Sequence, residues 1–65
     1  MRLLAIKWYK RAAELGFADA QDALGNCYSN GDGVTIDERE AIKWITRAAK
    51  AGNARAQAIL DSLQK

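Results

Sequence analysis

The chain repeats itself at an offset of 36 residues, and this restricts what it can fold into more than any other feature. Ala5-Ile6-Lys7-Trp8 returns as Ala41-Ile42-Lys43-Trp44, and Arg11-Ala12-Ala13 returns as Arg47-Ala48-Ala49. Gly16, Ala18, Ala20, Gln21 and Leu24 come back as Gly52, Ala54, Ala56, Gln57 and Leu60. Twelve of the twenty aligned pairs from 5/41 to 24/60 are identical, so one supersecondary unit is written twice. Periods of this size belong to arrays whose units bury their faces against one another.

Each unit reads as a pair of helices. From about 2 to 15, Leu4, Trp8, Ala12 and Leu15 recur at helical spacing, with Lys7, Lys10, Arg11 and Glu14 on the other side. Its copy spans about 37–51. The partner helix runs over about 18–29, with Ala20, Leu24, Cys27 and Tyr28 on one side, and its copy over about 54–64, with Ala56, Leu60 and Leu63. Gly16 and Gly52 are placed to end the longer helices in a left-handed cap. The link Asn30-Gly31-Asp32-Gly33-Val34-Thr35-Ile36 is rich in turn formers and admits positive φ at both glycines, which predicts an ordered turn. Asp37 with Glu40 three residues on reads as a capping box, and Ile36 against Ala41 as its hydrophobic staple. Alanines around the inter-helix glycines let adjacent helices approach closely while Trp8 and Trp44 fill the wider gaps. The expected fold is all-α, an α/α superhelix of antiparallel helical hairpins with about four helices, occupying residues 1–65 as a single domain.

Composition narrows the chemistry. Among 65 residues there is no His and no Pro, and only one Cys, which removes Ser-His-Asp and Cys-His catalysis, His-bearing zinc sites and internal disulfides. Ten basic against eight acidic residues leave a net charge of +2, far from the concentrated basic footprint of a nucleic-acid binder. No apolar stretch reaches the length needed to span a bilayer, and no signal peptide is visible at the N-terminus. One unpaired Cys27 fits a reducing compartment, so the expected location is the cytoplasm.

Two loop motifs fail on their ligands. If Gly33 were the sixth position of a calcium loop, Tyr28 and Arg39 would stand where carboxylates are needed. Gly31-x-Gly33 has no third glycine, no Gly-Lys-Ser/Thr sequence and no preceding strand, which removes a phosphate loop. Trp8 and Trp44 are read as core residues rather than stacking platforms. Gln21 and Gln57 are assigned structural hydrogen bonds to a neighbouring loop, and Cys27 is read as a buried small hydrophobe rather than a reactive thiol. Lys43, Arg47 and Lys50, echoed by Lys7 and Arg11, are read as complementing the helix dipole rather than as a docking stripe. No cofactor or metal is expected.

The string Ala18-x-Ala20-Gln21-x-x-Leu24-Gly25-x-x-Tyr28-x-x-Gly31-x-Gly33-Val34-x-x-Asp37, continued by Ala41, Trp44, Ala48-Ala49 and Gly52, resembles the Sel1-like repeat family, a relative of the tetratricopeptide repeats. The resemblance implies an α/α superhelix that serves as an adaptor in assembling proteins, its concave side lined by the first helix of each unit. The chain opens on a second-type helix and closes on a first-type one, so one unit is complete. Asp61 stands where the pattern has the glycine of Gly25. The polar Gln64-Lys65 end reads as a natural C-terminus, and the chain as a C-terminal part or fragment of a longer array. A cysteine-rich branch of the family is disfavoured, because Ala13, Gln21, Ala49 and Gln57 occupy its cysteine positions.

The expected function is a non-catalytic interaction module with a protein or peptide partner. The alternative is a purely structural segment that self-associates or completes a longer solenoid. Asp22, Asn26 and Ser29, spaced four and three apart on a first-type helix, are the polar residues least explained by packing, with Ala58 and Ser62 as counterparts of the first two. These five are the candidate partner-binding residues. A chain short of about three units and without polar capping repeats leaves apolar faces uncovered, with Leu3, Ile6 or Tyr9 on the outer side of the first helix, so it is expected to be a homo-oligomer or to lean on neighbouring repeats.

Overall fold

A computed structural model of the chain describes residues 2–63, and side chains from residue 4 onward. Four helices follow one another: α1 (Arg2–Glu14), α2 (Ala18–Asn30), α3 (Glu38–Lys50) and α4 (Ala54–Leu63). The six helix ends between Glu14 and Ala54 each fall within one residue of their expected positions. Gln64 and the side chain of Leu3 lie outside the described residues. Neighbours in sequence pack as neighbours in space, α1 on α2, α2 on α3 and α3 on α4, giving the all-α repeat solenoid the periodicity demands.

The corners repeat as faithfully as the helices. Gly16 has φ 98° and Gly52 φ 101°, a left-handed conformation that a Cβ would strain. At both corners the same bonds close the turn: Gly16 N–H to the Ala13 carbonyl at 3.0 Å and Phe17 N–H to Ala12 at 3.2 Å, then Gly52 to Ala49 at 3.1 Å and Asn53 to Ala48 at 2.9 Å. The long link is ordered, as expected. Asp32 N–H donates to the Cys27 carbonyl at 2.9 Å and Asp37 N–H to Tyr28 at 3.0 Å, and Val34 packs onto the core. Asp37 caps α3, its carboxylate accepting from the amides of Arg39 and Glu40 at 3.1 and 3.2 Å, which stabilises the helix by about 1 kcal/mol. The reciprocal half of the capping box does not form, because the Asp37 amide is taken by Tyr28 and Glu40 turns to Lys43 at 3.8 Å. Ile36 stays exposed and leans on Gly31.

Two clusters make the core. One joins Ile6, Ala13, Leu24, Cys27 and Trp44, and the other joins Ile45, Ala48 and Ala56 with Ala49, Ile59 and Leu60 against them. At Gly25, α2 lies close against α3. A Cβ there would lie 2.7 Å from Cδ1 and Cγ1 of Ile45 and 3.1 Å from the Ala41 carbonyl. Trp44 is buried at 4% exposure, with Arg47 and Lys43 lying over its ring at 4.9 and 5.5 Å from the centroid. These two cations of the basic stripe therefore shield an aromatic face.

Three sequence expectations are corrected. Trp8 is not in the core: it is 69% exposed, and Leu4 and Leu15 are exposed with it. The face of α1 that packs on α2 carries Ile6 and Ala13 instead, so Ile6 is buried rather than on the outer side. The reason lies in the repeat. A second-type helix has two apolar faces, one for the helix before it and one for the helix after, and α2 is what covers Trp44. Among the described residues no helix lies over Trp8, and that face of α1 is exposed. Gln57 is the third correction. Gln21 is buried and donates to the Ala13 carbonyl at 3.0 Å, in the last turn of the preceding helix, whereas Gln57 is exposed and donates to Asp61 at 3.0 Å within α4. α2 is enclosed between α1 and α3, whereas α4 packs mainly on α3, and there Gln57 is exposed and bonds within its own helix.

Candidate partner-binding cleft

The start of α4 is tied back to the start of α2. Asn53 precedes α4 and accepts the Ala56 amide at 2.8 Å, capping the helix, while its amide group donates to Asp19 of α2 at 3.1 Å. Arg55, the second residue of α4, reaches toward Asp22, Nε to Oδ2 at 3.9 Å. Between these contacts and α1 lies an open cleft of about 530 Å³, lined by Tyr9 from α1, by Asp19, Asp22, Ala23, Asn26 and Cys27 from α2, and by Asp32, Asn53 and Arg55. A narrower recess of about 110 Å³ shares Tyr9, Cys27 and Asp32 with it and adds the apolar side chains of Ala5 and Ile6.

Of the five candidate residues, Asp22 and Asn26 line this cleft. Ser29, Ala58 and Ser62 are exposed and do not. Asp22 is 6% exposed, so it belongs to no solvated polar face. Its Oδ1 is buried with no hydrogen-bond partner, and its Oδ2 has only Arg55 at the outer limit of an ion pair. Leaving a buried acceptor unmade costs roughly 1–3 kcal/mol, so the position is held at some expense to the fold. Arg55 is 71% of its side-chain area in solvent and supplies little in return.

Sequence reasoning missed Tyr9, Asp19, Asp32, Asn53 and Arg55. A signal for most of them was present. Each lining residue with a counterpart 36 positions away differs from it: Tyr9 from Ile45, Phe17 from Asn53, Asp19 from Arg55, Asp22 from Ala58, Ala23 from Ile59, Asn26 from Ser62 and Cys27 from Leu63. The positions shared by the two units build the scaffold, and the cleft is made where they diverge.

Cys27 is a free thiol at the back of the cleft. Burial pushes its pKa up, and the carboxylate of Asp32 pushes it further the same way. The fold therefore favours the neutral thiol. Its contribution to stability is full below the pKa of the unfolded thiol and is lost as pH rises through the folded value. Alkylation by iodoacetamide, followed against pH, is expected to show a midpoint above that of the same chain in urea. Coincident midpoints would contradict the burial. Among the described residues no group of three or more His, Cys, Asp or Glu is placed to hold a metal ion, and no helix is long and apolar enough to cross a membrane.

Comparison with known proteins agrees with this architecture. The family model of the Sel1 repeat matches residues 2–17 and 18–53. Among solved structures, a Sel1 repeat protein from Oxalobacter formigenes superposes with a TM-score of 0.90 at 41% identity over 97% of this chain. The chain spans 18% of the length of that protein. No curated protein matches the chain. With a full 36-residue unit over 18–53 and the end of another before it, the chain belongs to the Sel1 repeat family.

Proposed function

We propose that the chain is a non-catalytic interaction module that holds a protein or peptide partner on its helical-repeat surface, in the cleft between α1, α2 and the start of α4. The observation that carries this reading is the cleft itself, which is open, lined by polar and apolar groups together, and built from the positions at which the two units differ. Sel1 repeats are generally protein-interaction modules on a non-catalytic scaffold. Binding here is a matter of shape and polar contacts presented by rigid helices. A single buried thiol suits a reducing compartment, and the cytoplasm is the setting proposed. The test is to pan random displayed peptides on the immobilised chain and map an enriched peptide on the amide spectrum. Shifts at Asp22, Asn26 and Tyr9 are expected. Failure to enrich any peptide, or a footprint on another face, would remove the reading.

A second reading rests on Trp8. Its exposed face, with Leu4, Lys7 and Arg11 around a depression of about 240 Å³, is the equivalent of the face that α2 covers at Trp44. This supports a segment that completes a longer solenoid or associates with a second copy. Sedimentation with circular dichroism over one dilution series separates the two: loss of helix as mass falls supports the structural segment, and a helical monomer at every dilution counts against it.

A further inference from the structure

We infer that the cleft is a receptor for a basic side chain, an arginine or lysine presented by the bound peptide. The inference rests on the interaction reading above and gives its site a chemistry. Its basis is the state of Asp22. This carboxylate lines the cleft, is more than nine-tenths buried, and has one oxygen with no hydrogen-bond partner. Oδ1 is already stripped of water, so a cation that reaches it once the side chain turns toward the cleft gains a charge-assisted hydrogen bond with no hydration shell on that oxygen to displace.

The surroundings favour the same sign. Two carboxylates, Asp19 and Asp22, face the cleft beside the Arg55 guanidinium, on a chain whose overall formal charge is +2. The negative potential is therefore local to the cleft, where low-dielectric walls focus it. Arg55 does not satisfy it. The guanidinium is largely in solvent and its Nε stops 3.9 Å from Oδ2, leaving Oδ1 unengaged. It marks the direction from which a cation approaches and occupies the rim only. Asn26 offers an amide oxygen on the same wall, one helical turn from Asp22. The recess behind Tyr9, with Ala5 and Ile6 in its walls, suits the methylene stem of the same side chain.

The test uses the full chain, isotope-labelled, titrated with N-acetyl-arginine amide, N-acetyl-lysine amide and N-acetyl-citrulline amide. Citrulline keeps the shape of arginine and lacks its charge. The two cations are expected to shift the amides of Asp22 and Asn26 in a saturable way, with citrulline at least tenfold weaker. Asp22→Asn, near-isosteric and checked for retained helix, is expected to weaken arginine binding roughly tenfold to hundredfold. Arg55→Ala removes a competing cation and is expected to bind arginine as tightly as the parent or more tightly. Equal response to arginine and citrulline, no response to either cation, undiminished binding in Asp22→Asn, or weaker binding in Arg55→Ala would each overturn the inference. Its failure is distinguishable from that of the interaction reading: panning that enriches peptides without Arg or Lys, footprinted on the cleft, leaves the module standing and removes the basic ligand.

Discussion

Trp44→Ala is expected to leave the chain largely unfolded in dilute buffer, while Trp8→Ala, the same change 36 residues earlier, shifts its stability by no more than about 0.5 kcal/mol. Trp44 is 4% exposed and bridges the cluster of Leu24, Cys27 and Ile6, so its removal deletes a large buried surface and leaves a cavity in the main core. Such truncations cost about 3–5 kcal/mol. A domain of this length is held by roughly 0.05–0.15 kcal/mol per residue, and the loss takes most of that margin. Trp8 is 69% in solvent and truncating it opens no cavity. Urea titrations followed by circular dichroism decide the matter. Equal losses at the two positions would mean that Trp8 is covered in solution, and the description of α1 as open on that side would fall.

Gly25→Leu is expected to be the second severe change, with Asp61→Leu as its harmless counterpart. Replacing a helical glycine normally gains about 1 kcal/mol in helix propensity. At Gly25 that gain meets Ile45 carbons 2.7 Å from the new Cβ and the Ala41 carbonyl at 3.1 Å. The end of Ile45 can yield somewhat, but the backbone of α3 cannot, so alanine comes out near balance. Leucine adds three carbons where there is no volume, and overpacking of that kind costs about 1–3 kcal/mol or more. The net is a loss that separates α2 from α3. Position 61 is exposed on α4, and a leucine there meets no neighbouring helix. A Gly25→Leu chain as resistant to urea as the parent would show that the two helices do not approach so closely. Restoration of stability by Ile45→Ala in the same chain would locate the clash.

The scaffold was legible in the sequence because it is made of the residues the two units share. Gly16 and Gly52 close identical turns, the alanines sit at the contacts, and Gln21 fixes a preceding carbonyl, all from local chemistry repeated at a fixed offset. The burial of the two tryptophans was not equally legible. Their sequence surroundings are the same, and what separates them is whether a helix lies over the ring. The cleft was half legible. Asp22 and Asn26 stood out as polar residues without a packing role, but their companions are joined to them by contacts across 34 residues, such as Asn53 to Asp19, that no helical period encodes. Ser29, Ala58 and Ser62 satisfied the spacing and missed the cleft, because spacing fixes a residue's side of its own helix and leaves open what the neighbouring helices place opposite.

The exchange of Gly25 for Asp61 between the two units bears on which helix can stack over the face of Trp8. In the repeat geometry, a helix lying over Trp8 would set its own Gly25 equivalent opposite Ala5 and Tyr9, as Gly25 lies opposite Ala41 and Ile45. The α4 of a second copy would bring a carboxylate to that point, already holding the Gln57 amide. A copy stacked through α4 therefore meets that crossing with a carboxylate, whereas a first-type helix with a small residue there approaches as α2 does at Ala41 and Ile45.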